Sequence, residues 1–316
     1  MTISIYLPES TFTTDQVRRL KTLGIVRFTN SAESLSDDTL LLHAKDADIL
    51  GLDPDNFGGF EKARARTMPL FKALPNLVGV ALATTSFGWV DYEYLKKINI
   101  PVANVPGYSR EAVAEHTIAL LLSMAKRILL TDRRTQKGKY VKEMAFELAG
   151  KTLGIIGIGN IGSRTAELAQ GLGMKVVAFN RSPKSYPGVT MVTLPELMKQ
   201  ADAIAIHVTH EDGNEGVLGA KELALAKKGV IVVNTADPGN VDEKAMADVM
   251  KKGIVDQYTC EGTLFEDSPL KGVEKAIGLK GFGYFTREAI ANLYEIFVSD
   301  LEAIASGKPK NVVNGV

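Results

Sequence analysis

Residues 151–182, KTLGIIGIGNIGSRTAELAQGLGMKVVAFNRS, pass from an apolar strand through a glycine-rich turn into a helix and a second strand. Leu153, Ile155 and Ile156 form the short apolar run of a buried parallel strand, and Gly157-x-Gly159-x-x-Gly162 follows at once. The three glycines serve different ends. Gly157 permits the tight turn, Gly159 lets backbone approach a pyrophosphate, and Gly162 lets the helix pack close to the strand. A helix over 161–172 then offers free N–H groups and the positive end of its dipole to phosphate. Met174 to Phe179 supply the next strand. The segment therefore predicts a βαβ unit that holds a dinucleotide, with Gly157, Gly159, Asn160, Ile161 and Gly162 at the pyrophosphate.

At the end of that second strand, where an acidic side chain would accept hydrogen bonds from the adenosine ribose, stand Asn180, Arg181 and Ser182. A carboxylate there would repel a 2′-phosphate, whereas Arg181 pairs with it bidentately and Ser182 donates a hydrogen bond. The expected cofactor is NADP(H), with NADPH as the reductant. The competing reading of Arg181 is a solvated loop charge.

A chain of 316 residues exceeds one ordinary hydrophobic core, so two lobes are expected. Its 37 basic and 37 acidic residues balance, which gives no electrostatic reason to invoke nucleic acid or an anionic membrane as a partner. The one cysteine, Cys260, cannot close an intrachain disulfide, and His43, His116, His207 and His210 lack metal-ligand spacing. A reducing, cytoplasmic setting follows as the expectation, with no metal. The first ten residues alternate like a strand and lack the basic start and apolar stretch of a signal peptide. The most apolar helix, Ile118 to Met124, falls short of the roughly 20 residues that cross a bilayer.

Strand-like segments at Ile3 to Leu7, Ile25 to Phe28, Asp48 to Leu50, Val78 to Ala81 and Pro101 to Ala103 alternate with helical ones. A long helix from about Arg110 to Gly138 leads into the glycine turn, and strands follow at Ala203 to His207, Val230 to Asn234 and Ile254 to Tyr258. This alternation predicts an α/β fold with a doubly wound parallel sheet in each of two domains, Rossmann-like or flavodoxin-like, and a substrate cleft between them. Residues 1–99 and 287–316 are expected to form a substrate domain and 100–286 the NADP-binding domain. A helix carrying Ile290, Leu293, Ile296, Phe297 and Leu301 returns the chain to the first lobe.

NVPGYSREAVAEHTIALLL at 104–122, the glycine turn, VVNTADPGNVDE at 232–243, LFEDSPL at 264–270, FTREAI at 285–290 and GKPKNVVN at 307–314 occur in the order and at the separations of the D-2-hydroxyacid dehydrogenases. The chain resembles that family over nearly its whole length. The resemblance implies a split substrate domain, an inserted nucleotide domain and a homodimer held through the nucleotide domains. It also implies hydride transfer between a nicotinamide and a small-molecule 2-oxo or 2-hydroxy acid. In that chemistry an arginine grips the substrate and a histidine, kept basic by a glutamate, moves the proton.

Carried over motif by motif, the family's arginine falls at Asp237, its glutamate at Ser268 and its histidine near Gly281. Thr235, beside the first of these, falls among the cofactor contacts. An anion at position 237 disfavours 2-oxo acids by Coulomb repulsion in a low-dielectric site. Glu266 and Asp267 lie close enough to the missing glutamate to supply a carboxylate by a local register shift.

Other groups are candidates for rebuilt chemistry. Ser86, with Thr84 and Thr85, lies in the loop 84–95 and is suited to orient a carbonyl or to cap the loop. Tyr108 is a proton donor or a packing tyrosine. Arg110 opposes the dipole at its helix start and so needs a partner such as Glu111, a phosphate or the substrate. His116, farther along that helix, reads as a satisfied core or interface residue, and His210 as a replacement acid or a solvated loop histidine. Tyr258, Cys260 and Glu261 fall at the carboxyl end of a strand, where open α/β folds bind ligands. Phe282, Tyr284 and Phe285 form an aromatic wall where the family's histidine would be.

Three functions fit these residues. One is an NADP(H)-dependent reductase with a rebuilt site, acting on a carbonyl, C=N or C=C substrate other than a simple 2-oxo acid. The others are a catalytically silent NADP(H) sensor and a 2-oxo acid reductase that uses substitute residues.

Overall fold

The computed structural model describes residues 1–182, 184–208, 216–262 and 265–316. The chain divides into two compact units, Met1–Tyr108 with Arg287–Val316, and Ser109–Thr286.

The first unit carries β1 (Thr2–Pro8), β2 (Ile25–Thr29), β3 (Ile49–Leu52), β4 (Gly79–Leu82) and β5 (Val102–Ala103), in the order β2-β1-β3-β4-β5 with every pair parallel. This is the flavodoxin-like order. Helices cover both faces of the sheet, and its strands β3 and β4 are apolar and buried at every residue. On one face the Arg287–Ala305 helix lies close because two strand residues lack side chains. A Cβ on Gly79 would sit 2.4 Å from Ile304 Cγ2, and one on Gly51 would sit 2.8 Å from Phe297 Cζ. Phe297 is fully buried there among Ile3, Ile5 and Ile49, a burial that contributes about 1.5–3 kcal/mol. Of the five apolar positions expected to face the core, Leu293, Phe297 and Leu301 are buried, whereas Ile290 and Ile296 stay half-exposed at its margin. After this helix, Asn314 accepts from Val102 N–H at 3.1 Å and donates to the Ile100 carbonyl at 2.8 Å, fastening the C-terminal segment to β5.

The second unit carries β6 (Thr152–Ile156), β7 (Lys175–Phe179), β8 (Val189–Met191), β9 (Ala203–Ile206), β10 (Val230–Asn234), β11 (Val255–Glu261) and β12 (Ala276–Leu279). They form one parallel sheet in the order β12-β11-β10-β9-β6-β7-β8. Read from β6 outward, this is the dinucleotide-binding order with an added edge strand, and the order reverses between β6 and β9.

The helix expected from Arg110 to Gly138 is two helices, Arg110–Ala125 and Ile128–Gln136. Arg127 between them has φ +61°, a left-handed conformation that ends one helix and starts the next. Its side chain explains why arginine occupies so strained a position. The guanidinium pairs with Asp256 and donates to the Met144 carbonyl at 3.2 Å, so the bend is tied to β11 and to the segment that follows it.

Candidate active site on the nucleotide-binding unit

β6 ends at Ile156 and the chain turns at Gly157, whose φ is +93° and whose missing Cβ would stand 2.7 Å from the His207 carbonyl oxygen. Both constraints require glycine. A Cβ on Gly162 would come within 2.2 Å of Gly157 O, so the helix Asn160–Gly171 sits directly on the turn. Gly159 differs, because nothing lies within 4 Å of its Cβ position. Two glycines therefore build the turn and the third keeps its outer face clear. The N-cap, Gly159, has no side-chain bond, which leaves the first N–H groups of the helix open to an anion. Asn160 is exposed and Ile161 half-buried beside them. This geometry fits the pyrophosphate of a dinucleotide.

Asn180 joins the turn to the loop after β7: its Oδ1 accepts from Ile158 N–H at 3.2 Å and its Nδ2 donates to the Ser182 carbonyl at 2.8 Å. Arg181 and Ser182 are exposed on that loop. Arg110, a cation at a helix start, finds its partners outside its own helix. It donates to the Asn160 carbonyl at 3.2 Å and lies 3.3 Å from Glu167, bracing one helix against the helix that follows the glycine turn.

Behind the turn runs a line of side chains that no local sequence pattern reveals. Thr165 Oγ1 donates to the Ile161 carbonyl and lies 3.1 Å from His207 Nε2, and His207 Nδ1 lies 3.4 Å from Thr235 Oγ1. Thr235 in turn lies 3.2 Å from Thr117 Oγ1. Since Thr165 spends its proton on a carbonyl, His207 Nε2 is the donor to it; Thr117 likewise donates to the Val113 carbonyl at 2.8 Å, so the single hydroxyl proton of Thr235 lies between Thr117 and His207 Nδ1. Burial pushes the His207 imidazole down to about 4, which keeps the ring neutral and suited to both bonds.

β10 ends at Asn234, and Asp237 opens the short turn Pro238–Asn240 with its carboxylate accepting from Gly239 N–H at 2.7 Å. Asn234 holds the approach to that turn, donating to the Asp237 carbonyl at 3.0 Å and accepting from Ala236 N–H at 3.0 Å. Three hydrogen bonds thus fix the turn that carries the Asp237 carboxylate.

β11 ends at Glu261, and here the structure brings together two groups that are far apart in the chain. His116 Nε2 lies 2.9 Å from Glu261 Oε1, with side-chain exposures of 16% and 7%. The contact is short but is not aligned as a hydrogen bond. The segment 281–283 wraps around it: Phe282 N–H donates to Glu261 Oε1 at 3.4 Å and the Phe282 ring stands edge-on to His116 with centroids 5.0 Å apart. A Cβ on Gly283 would meet Glu261 Oε2 and His116 Cδ2, each at 2.9 Å. A Cβ on Gly281 would lie 3.8 Å from Gly262 Cα, the residue after Glu261.

The remaining candidates are placed as follows. Ser268 Oγ accepts from Leu270 N–H at 3.1 Å, and Glu266 and Asp267 are exposed, so the buried carboxylate of this region is Glu261. Cys260 is buried and its thiol is pushed up to about 11 by burial, which makes it a packing residue, not a nucleophile. Tyr258 is buried beside it. Phe282, Tyr284 and Phe285 are exposed. In the first unit, Ser86 is exposed with its carbonyl taken by the Thr84 hydroxyl at 2.7 Å and the Trp89 indole at 2.8 Å. Tyr108 is half-buried against the core of that unit. His210 lies outside the described residues. Among the described residues no group of histidine, cysteine and carboxylate side chains is arranged to hold a metal, and no helix is long and apolar enough to cross a membrane.

A sequence model described as the D-isomer specific 2-hydroxyacid dehydrogenase NAD binding domain matches residues 118–280. The chain belongs to the D-isomer-specific 2-hydroxyacid dehydrogenase family. It is 32% identical over 260 residues to a hydroxypyruvate reductase of Blautia hydrogenotrophica, covering 78% of this chain and 81% of that one. It is 32% identical over 265 residues to a glyoxylate reductase of Aeropyrum pernix, covering 78% of each. Among solved structures, an acyclic imino acid reductase in complex with NADPH and D-Arg superposes with a TM-score of 0.86 at 27% identity, over 99% of this chain and all of that one. The protein is thus an oxidoreductase of a nicotinamide-binding family.

Proposed function

We propose that the protein is an NADP(H)-dependent reductase whose substrate is a carbonyl, C=N or related C=C compound other than a simple 2-oxo acid. One observation carries this reading: the carboxylate of Asp237, to which the resemblance assigns the family's arginine position, is anchored on Gly239 N–H at 2.7 Å. A fixed anion there repels a substrate carboxylate and tolerates a neutral or cationic one. The similarity to an imino acid reductase fits the same direction.

The glycine turn and the open N-terminus of the Asn160–Gly171 helix would hold the pyrophosphate, Arg181 and Ser182 the 2′-phosphate, and Asn180 and Thr235 the adjoining loops. When bound, NADPH supplies a hydride to the substrate carbon. The chain's own part is to position the acceptor, keep its charge compatible with Asp237 and deliver a proton. Support for NADP(H) over NAD(H) comes from the sequence of the loop after β7, which carries Arg181 and Ser182 and no carboxylate. The proposal includes a cytoplasmic homodimer. The exposed Ile128, Tyr140, Val141 and Met144 of the second unit offer it an apolar face, and sedimentation of the purified chain checks it.

NADPH absorbance followed with 2-oxo acids, neutral ketones, aldehydes, imines and enones tests the function. Turnover confined to substrates without a carboxylate is expected. NADPH binding with no turnover on any of them would favour the silent sensor. Titration of NADPH and NADH against the protein and Arg181→Ala tests the cofactor, and an unchanged preference in the variant contradicts the role given to Arg181.

A further inference from the structure

We infer that His116 and Glu261 form the proton-delivering pair of this enzyme, His116 as the catalytic acid and Glu261 as the residue that positions it. The inference rests on the reductase reading. It assigns the proton to residues of a helix and a strand end other than Gly281 and Ser268, the positions to which the resemblance assigns the family's histidine and glutamate.

The geometry gives the two ring nitrogens separate roles. Nε2 faces Glu261 Oε1 at 2.9 Å and is shielded from solvent, whereas Nδ1 has no hydrogen-bond partner among the described residues. The negative charge of a carboxylate beside one nitrogen of a neutral imidazole favours the proton on that nitrogen, leaving the other nitrogen to exchange a proton with the substrate. The surroundings are built for the pair. Gly283 has no side chain where any Cβ would strike both partners at 2.9 Å, Phe282 N–H supports the carboxylate, and the Phe282 ring covers one side of the imidazole.

Its location suits the chemistry. Glu261 closes β11, three strands along the sheet from β6, so it stands about 14 Å from the glycine turn at a strand spacing of about 4.8 Å. A dinucleotide held at the glycine turn would run along the strand ends, and the pair would serve its nicotinamide end. In the step itself, the substrate carbon gains the hydride and the C=O or C=N π bond breaks. Its electron pair moves to the heteroatom, and that atom takes the proton from His116 Nδ1. The neutral ring left behind is reprotonated from solvent, and the carbonyl or imine has become an alcohol or amine.

The test uses the whole protein, NADPH, and the substrate that the wild type reduces fastest. His116→Gln is expected to lower kcat at least 100-fold with the NADPH dissociation constant and the substrate KM within threefold, and added imidazole is expected to restore part of the turnover of His116→Gly. Glu261→Gln is expected to lower kcat about tenfold. A second readout does not depend on activity: the histidine 15N spectrum, assigned with His116→Gln, should show His116 as the Nε2–H tautomer when the ring is neutral. Turnover of His116→Gln within threefold of wild type, or an Nδ1–H tautomer, overturns the pair. An inactive wild type that binds NADPH overturns the reductase reading instead, which separates the two failures.

Discussion

Glu261 Oε1 stands 2.9 Å from His116 Nε2 across a space that Gly283 keeps free of side chain. A methyl group at 283 would lie 2.9 Å from an atom of each partner, closer than real Cβ contacts allow, and one of them must move. Gly283→Ala is therefore predicted to lower kcat at least tenfold while leaving the NADPH dissociation constant unchanged, since the glycine turn is built from other strands. Steady-state kinetics beside a fluorescence titration checks this. Full activity in the variant would mean that the contact is not needed.

The three glycines of the turn separate fold from binding. Gly159→Ala adds a methyl group to open space, so its Tm should stay within about 2 °C of wild type while NADPH affinity falls at least tenfold. Gly162→Ala places a Cβ 2.2 Å from Gly157 O, so it should lower Tm as well. Thermal melts with and without NADPH distinguish the two.

Arg127 bears a left-handed backbone that costs a non-glycine residue about 1–2 kcal/mol and offsets it through the Asp256 ion pair. Arg127→Gly loses the pair but relieves the backbone, whereas Arg127→Ala loses the pair and keeps the strain. Both should be less stable than wild type by urea unfolding, and the alanine variant should lie about 1 kcal/mol below the glycine variant. The reverse order would place the strain elsewhere.

His207 makes stability depend on pH. Its folded-state value, near 4, lies below the ordinary 6.5 because burial penalises the charged ring. The unfolded chain therefore binds the proton first, and stability present above about pH 6.5 is lost as pH falls toward 4, by about 3 kcal/mol in all. Asp53 and Asp300, both raised to about 6 by burial, act in the opposite sense, losing stability as pH rises from about 4 to 6. The wild-type curve alone is thus a sum. Subtracting the curve of His207→Gln should leave a slope falling between pH 6.5 and 4, and a flat difference would contradict the buried neutral ring.

Much of the fold was legible because apolar strand runs and the Gly157-x-Gly159-x-x-Gly162 turn are local patterns. Five strands of the first unit and β6, β7, β9, β10 and β11 of the second lie where short apolar runs placed them. The bend at Arg127 has no such signature, since no glycine or proline marks it and what holds it there is a distant carboxylate, Asp256. β8 and β12 are short edge strands without a distinctive pattern. In the candidate site, the glycine turn could be read residue by residue. The His116–Glu261 pair could not. Its partners come from a helix and a strand end that only the folded sheet brings together, and a lone helical histidine ordinarily packs.

The proposed function turns on Asp237, whose carboxylate would disfavour anionic substrates. For unit charges about 5 Å apart at an effective dielectric constant of about 20, repulsion costs about 3 kcal/mol. The most direct measurement compares kcat/KM for 2-oxobutyrate and for its methyl ester with NADPH, two substrates sharing the reacting carbonyl and differing in the charge beside it. The ester is predicted to be favoured at least tenfold, with the preference reversed in Asp237→Arg. A wild-type preference for the acid would contradict the role given to Asp237 and return the protein to the ordinary chemistry of its family.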